Sequence, residues 1–248
     1  MLRQAPRGLS ETWHPPFFLL LDYNALFDFG NPLRSGMILN METVFYFLVF
    51  IFSAVIHEVS HGYVAKALGD DTAEKEGRLT LNPLVHLDPF GSVLLPMIFY
   101  LTSKLAGGVG IIFGWAKPVP YNPYNLKNPK QGALLIALAG PLSNVFVAFC
   151  LSLILRLGLV SGAPAQMFTI IVLINLMLAV FNLMPIPPLD GSKVLFGLLP
   201  AKLFYIEEFL ERNSMIFFLM FFLWGGNFVY SIVFRLFVLF TGLRGIGF

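Results

Sequence analysis

The sequence predicts an all-α, polytopic membrane protein with about four full transmembrane helices and a re-entrant hairpin. Hydrophobic residues make up 57% of the 248 positions and charged residues only 12%, and the mean hydropathy is +0.77. A soluble domain carries about 25% charged residues. Several apolar runs also reach the ~20 residues that a helix needs to cross a bilayer. The net charge of +2 is too small to indicate a nucleic acid partner, so the predicted surroundings are the lipid bilayer.

The first 40 residues are predicted to be an N-terminal extension, to which we assign neither regular structure nor function. Their apolar run, residues 17–21, is far too short to span a membrane, and Asp22, Asp28 and Pro32 interrupt the stretch that follows. Met37 is an alternative start of the protein, with the residues before it as an upstream extension.

Four later segments are long and apolar enough for full transmembrane helices. They are residues 41–68, 132–157, 166–185 and 214–241. Residues 194–212 mix apolar and charged side chains, which predicts an amphipathic helix at the membrane interface. In residues 90–115 two short apolar runs flank a pair of glycines, which favours a hairpin that enters the membrane and returns. Its second arm, residues 110–115, is too short for a helix, so a short β segment is an option there.

The first predicted span carries the motif H-E-x-x-H at residues 57–61. On a helix this spacing places His57 and His61 one turn apart on one face, which suits two zinc ligands, and Glu58 can reach a water on the metal. Ionisable residues at membrane depth are costly and usually functional. The sequence therefore predicts one Zn²⁺ ion as cofactor.

A catalytic zinc usually takes a third ligand from the protein and leaves one position for water. Cys150 is the only cysteine in the sequence, so neither a thiolate site nor a disulfide framework is available. The candidate for the third ligand is Asp190, which follows a segment with three prolines and precedes Gly191. The prolines break the helix where a carboxylate must turn inward, and the glycine permits a tight backbone there.

At these residues the chain resembles the site-2 protease family of intramembrane zinc metalloproteases. That family joins H-E-x-x-H on one transmembrane helix to N-x-x-P-x-x-x-x-D-G at the end of another, and residues 182–191 match the second motif. Residues 140–144 are similar to the family's G-P-x-x-N on the intervening helix. Residues 77–83 and 86–89 are similar to a loop of compact prokaryotic members.

The resemblance implies a division of the chain and a class of substrate. The metalloprotease core is expected at residues 41–200, and residues 201–248 supply an interfacial helix and a last transmembrane helix. There is no room for the PDZ or CBS domains that other members carry. The expected substrate is a transmembrane protein or peptide, cleaved in or near its membrane segment.

The expected chemistry is hydrolysis with Glu58 as general base, taking a proton from water and delivering it to the leaving amine. The oxyanion needs donors, and either Asn182 or Asn144 could be one. Hydrogen bonding between helices is an equally weighted account of these asparagines. The resemblance favours Asn182 as the substrate or oxyanion contact. Because a substrate helix must unwind locally, the short arm at residues 109–115 could offer it an edge strand.

If the three predicted ligands meet at one metal ion, the directions of the transmembrane helices follow. The helices at residues 41–68 and 166–185 must run parallel, with the span at residues 132–157 antiparallel between them. Most basic residues then fall on the side of the zinc site: Lys75, Arg78, Lys104, Lys117, Lys127, Lys130, Lys193 and Lys202. The positive-inside rule turns this side toward the cytoplasm.

Two other readings compete with the protease. A non-proteolytic zinc-binding protein or transporter could use the same polar residues, although a transporter predicts more acidic residues across several spans and repeated halves. A catalytically idle relative is the other reading, and the intact Glu58 argues against it.

Overall fold

The computed structural model describes residues 41–88 and 117–243, together with positions 90, 94, 97, 98, 101 and 102. The predicted N-terminal extension lies outside these residues. So does most of the predicted re-entrant hairpin, including the β segment at residues 110–115 and the proposed edge strand.

The described residues form helices and connecting turns, and none of them forms a strand. The helices of nine or more residues are α1 (Met41–Ala67), α2 (Pro129–Arg156), α3 (Ala163–Asn182), α4 (Asp190–Leu198), α5 (Phe204–Arg212), α6 (Ser214–Trp224) and α7 (Gly226–Thr241). Single-turn helices lie at Thr72–Lys75 and Pro83–His86. The predicted interfacial helix at residues 194–212 is divided into α4 and α5. Leu199 is extended, as expected of the residue before a proline.

Among the residues that the structure describes, three helices are long and apolar enough to cross a membrane: Val44–Ala67 within α1, the whole of α2 and the whole of α3. The shortest of them has 20 residues, which at 1.5 Å per residue spans about 30 Å. The protein is therefore a membrane protein by the length and composition of its helices.

The fourth predicted span is not one continuous helix. It consists of α6 and α7, which bend by 65° where they meet at Gly225, so a fourth crossing exists only if this pair acts as one span. The expectation of about four full transmembrane helices is thus not confirmed. Glycine has low helix propensity, and the Gly225–Gly226 pair marks the point of the bend.

The order of contacts along the helices gives the topology. Ser53 on α1 contacts Asn175 on α3, and one turn later along α1, His57 contacts Asp190 beyond the end of α3. Hence α1 and α3 run parallel, and both pack against α2. This arrangement brings the H-E-x-x-H helix and the start of α4 to the same end of the bundle.

Away from that end, α2, α3 and α7 share a tightly packed apolar core. Its buried members are Ala148, Val172, Leu176, Val180, Val229, Val233 and Phe237. In lipid such contacts stabilise through close packing more than through exclusion of water. This core fixes α3, and α3 in turn places the turn that leads to Asp190.

Candidate metal centre

Two imidazoles and one carboxylate converge where α1 meets the start of α4. The Nε2 atoms of His57 and His61 lie 3.0 and 3.2 Å from Oδ2 of Asp190. All three candidate ligand atoms lie within 4.8 Å of one another. Both histidines are buried, at 5% and 8% exposure. The H-E-x-x-H spacing and the helix start at Asp190 therefore place three zinc-type donors around one point.

The backbone of α2 leaves room at this point because residue 140 is a glycine. A Cβ on Gly140 would lie 2.5 Å from Nε2 of His61 and 2.6 Å from Nε2 of His57. Real Cβ atoms do not approach side-chain atoms so closely. The glycine thus keeps the space beside both nitrogens free of a side chain from residue 140 of α2. Two imidazole nitrogens and one carboxylate oxygen match the ligand types of catalytic zinc, so these residues fit the metal.

The other nitrogen of each imidazole is bonded to α2. Nδ1 of His57 lies 2.7 Å from Oδ1 of Asn144, and Nδ1 of His61 lies 2.6 Å from the carbonyl oxygen of Ile136. A backbone carbonyl only accepts, so Nδ1 of His61 donates, and Nε2 is the nitrogen that faces Asp190. Such bonds orient metal-ligating histidines and raise their basicity.

Asp190 is held as a carboxylate. Burial acts to raise the pKa of its carboxyl, but the hydrogen bonds and charges of His57 and His61 outweigh burial, and the pKa lies well below its usual range. An ionised carboxylate is the form that binds a cation. The negative charge therefore belongs to the site itself.

Glu58 lies beside these ligands and contacts a loop rather than a helix. The backbone N–H of Val119 donates to its Oε2 at 3.0 Å. Glu58 also lines a cavity of about 170 Å³ that reaches the three candidate ligands, and Pro118, Tyr121, Asn182 and Lys193 form part of its wall.

The structure separates the two asparagines that the sequence left as alternatives. Asn182 lines the cavity, and its Nδ2 donates to the carbonyl of Leu178 in its own helix. Asn144 is fully buried behind His57 and bonds to side chains of α1 and α3, which is the interhelical role. Of the two, Asn182 is the one that borders the cavity.

The chain is similar in sequence to a family of peptidases and to several metalloproteases. A model of "Peptidase family M50" matches residues 159–224. The protein named "Putative zinc metalloprotease YwhC" of Bacillus subtilis is 40% identical over 175 residues, which cover 65% of this chain and 74% of that protein. The chain belongs to peptidase family M50, the site-2 protease family. It is a zinc metalloprotease, and its cofactor is Zn²⁺.

More distant relatives of this M50 peptidase carry similar names. "Zinc metalloprotease MJ0392" of Methanocaldococcus jannaschii is 27% identical over 176 residues, which cover 70% of this chain but 40% of that protein. "Putative zinc metalloprotease Rip2" of Mycobacterium tuberculosis is 31% identical over 146 residues, 58% of this chain and 52% of that protein. No solved structure matches the chain.

Several contacts of the M50 site escaped the sequence interpretation. The sequence predicts neither the position of Gly140 beside the ligands nor that of Lys193 at the cavity wall. Lys193 lies over the ring of Tyr121, with Nζ 5.7 Å from the ring centroid, at the cavity wall. The Val119 N–H has no signature in the sequence, because every residue except proline carries one.

Hydrogen bonds that Asp70 accepts from Thr72, Asn122 and Asn125, which we call the Asp70 clamp, hold the loop that carries Val119. The carboxylate of Asp70 is fully buried and accepts from the backbone N–H of Asn122 at 2.7 Å and from Nδ2 of Asn125 at 2.7 Å. It also accepts from the N–H and hydroxyl of Thr72. Burial acts to raise the pKa of Asp70, but these bonds outweigh burial and leave the pKa below its usual value. The clamp ties residues 117–125 to the end of α1.

Proposed function

We propose that this protein is an intramembrane protease that hydrolyses peptide bonds in or near transmembrane segments of other proteins. The observation that carries the proposal is the position of Asp190 against His57 and His61. The two histidines lie beside Glu58 on a helix that is apolar enough to cross a membrane. In the proposal the two Nε2 atoms and the Asp190 carboxylate hold one zinc ion.

When bound, zinc supplies a Lewis acid that polarises a carbonyl and lowers the pKa of a water to roughly 7. Glu58 accepts the proton of the attacking water and passes it to the leaving amine. The Val119 N–H donates to Oε2 of this carboxylate, and Glu58 lines the cavity beside the three candidate ligands. This bond positions the general base without adding another ionisable group.

Asn182 is proposed to stabilise the developing oxyanion. One N–H of its amide is used by the carbonyl of Leu178, and the Nδ2 group carries a second N–H that can point into the cavity. Removal of one such donor costs about 10²–10³ in turnover in a well-studied protease. The Asn182→Leu variant is therefore expected to bind zinc normally and to lose turnover.

The proposed site lies toward the cytoplasm, with the core at residues 41–200 and residues 201–248 as a C-terminal addition. Among the described residues, the end of the bundle that carries the site holds most of the basic side chains: Lys66, Lys75, Arg78, Lys117, Lys127, Lys130, Lys193 and Lys202. At the opposite end, Arg156 donates to the carbonyl of Leu239. This distribution supports the orientation by the positive-inside rule.

A single experiment tests the proposal. The purified protein is assayed for zinc content and for cleavage of a single-span peptide with helix-weakening residues in its membrane segment, before and after Glu58→Gln. We expect one zinc per chain in both forms and cleavage only in the wild type. Glu76→Gln, on an exposed glutamate of the loop after α1, is the matched control.

The outcomes separate the competing readings. Equal cleavage by Glu58→Gln and wild type removes Glu58 from the mechanism. Zinc binding without cleavage of any membrane peptide favours a non-proteolytic role. Cleavage of soluble peptides alone contradicts the substrate class.

A further inference from the structure

A chain of buried polar side chains runs from the metal centre into the middle of the bundle. It begins at Nδ1 of His57, which contacts Oδ1 of Asn144, and Nδ2 of Asn144 donates to Oδ1 of Asn175 at 2.9 Å. Nδ2 of Asn175 donates to Oγ of Ser53 at 2.9 Å. These residues come from α1, α2 and α3, and none is more than 5% exposed. The mechanism proposed above uses only the first of them.

Two backbone carbonyls give this chain a direction. Asn175 lies 2.9 Å from the carbonyl of Ile171, and Asn144 lies 3.1 Å from the carbonyl of Ser53, each through its Nδ2. A carbonyl oxygen can only accept, so the NH₂ group of each amide must face it. The oxygen of Asn175 is thereby turned toward Asn144, and the oxygen of Asn144 toward His57.

The same logic fixes the proton on the imidazole. An amide oxygen only accepts, so Nδ1 of His57 must carry a hydrogen, and Nε2 is the nitrogen that faces Asp190 and is available to a metal ion. If Asn144 were turned over, its oxygen would face the Ser53 carbonyl and the Asn175 oxygen. Acceptors would then oppose acceptors in a buried place, which is strongly disfavoured.

We infer that Asn175 is a positioning residue that holds the Asn144 amide with its oxygen toward Nδ1 of His57 and thereby sets the affinity of the site for zinc. It acts through Asn144 and lies on a different helix from both histidines. The inference rests on the ligand set of the proposed function. Residues that bond directly to a ligating histidine, as Asn144 does, typically change metal affinity 10–100-fold when they are mutated, and loss of Asn175 removes one of the two bonds that orient this amide.

The test compares Asn175→Leu, which is similar in size but lacks polar atoms, with Val172→Ala as the matched control. Val172 is fully buried on α3 and belongs to the apolar core, so its truncation disturbs packing without touching the polar chain. Zinc affinity is measured by competition with a chelator. We expect Asn175→Leu to weaken zinc binding about 10–100-fold and Val172→Ala to leave it unchanged.

A second readout observes the Nδ1 hydrogen directly. The sequence has only four histidines, so ¹⁵N-histidine labelling gives a simple NMR spectrum. In zinc-free wild type we expect a hydrogen on Nδ1 of His57, bonded to Asn144, and in Asn175→Leu we expect part of the molecules to lose this bond. Asn175→Asp, in its protonated form, offers the same acceptor to Asn144 and a donor to Ile171, so it should keep an affinity close to that of the wild type.

Three results overturn the inference. One is the absence of a hydrogen on Nδ1 of His57 in the zinc-free wild type, a result that needs no variant to fold. Another is equal zinc affinity in Asn175→Leu and wild type. The third is an equal loss in Asn175→Leu and Val172→Ala. Retention of zinc by His57→Ala instead overturns the proposed ligand set, and the inference with it, so the two failures are distinguishable.

Discussion

The candidate metal ligands and the candidate general base are neighbours on α1, yet two different kinds of structure hold them. His57 and His61 are bonded to α2 inside a bundle of regular helices. Glu58 is bonded instead to an irregular loop, through the N–H of Val119. We call the part of the site around His57 and His61 the ligand side and the part around Glu58 the base side. The ligand side depends on helix packing, and the base side depends on one backbone contact. The two sides should therefore fail separately when mutated.

The distinction extends outward on both sides. Behind the histidines lies a buried polar chain anchored on backbone carbonyls of α1 and α3. Behind Val119 lies the Asp70 clamp, which fixes the loop to the end of α1. Mutations on the ligand side should change zinc content, and mutations on the base side should change turnover with zinc retained.

The largest expected effect is on the ligand side, in Gly140→Ala. The added methyl would lie within 2.6 Å of both Nε2 atoms, so the imidazoles must move away from the metal position. Overpacking costs typically 1–3 kcal/mol, or roughly 5–150-fold in an equilibrium constant. We expect zinc affinity to fall by at least about tenfold, measured by chelator competition, with cleavage lost in parallel. Leu142→Ala, at an exposed position of the same helix, is the control.

Zinc affinity unchanged in Gly140→Ala would mean that α2 does not approach the metal position. The ligand side would then be less tightly enclosed than the distances indicate.

On the base side, Val119→Pro deletes the hydrogen bond to Glu58. Residue 119 lies between Pro118 and Pro120, and the substitution removes the N–H that donates to Glu58. A hydrogen bond to a charged group contributes about 1.5–3 kcal/mol. We expect turnover to fall roughly 10–100-fold with zinc content unchanged.

Val119→Ala keeps the N–H and shortens the side chain, so it should retain most of the activity. Equal losses in the alanine and proline variants would assign the effect to packing of the side chain against Gly62, which lies close to it.

The next effect concerns the clamp and depends on pH. The pKa of Asp70 is lower in the folded protein than in the unfolded chain, so the carboxylate stabilises the loop at pH values above its unfolded pKa, about 4. This stabilisation is lost as the pH falls through the lower, folded pKa. We expect the hydrogen-exchange protection factor of the Asn122 amide to be constant near neutral pH and to fall in acid.

Asp70→Asn should remove both the protection and its pH dependence. An amide presents a donor where Asn122 and Asn125 already donate, and an unsatisfied buried group costs about 1–3 kcal/mol. Protection of Asn122 at neutral pH should drop by about tenfold or more. A protection factor in the variant that still declined in acid would assign the titration to another group.

The sequence predicted the ligand side better than the base side, for a physical reason. The H-E-x-x-H spacing and the proline break before Asp190 are local patterns with known geometry, and the structure brings all three residues together. The Val119 contact is made by a backbone N–H, which leaves no residue signature. The choice between Asn144 and Asn182 depends on which helix face borders the cavity, and spacing alone did not decide it. The 65° bend at Gly225 likewise depends on packing around a glycine pair.

The smallest expected effect sharpens the contrast between the clamp and an exposed ion pair only a few residues away. Lys66 and Glu74 join the same end of α1 to the same loop at 2.6 Å, but their side chains are 44% and 51% exposed. Exposed pairs contribute typically 0–1 kcal/mol, because water screens the charges and both side chains lose freedom. Glu74→Gln should leave zinc content, cleavage and Asn122 protection unchanged. If it lowered protection as much as Asp70→Asn, the loop would be held by surface charge, and the base side would be sensitive to salt.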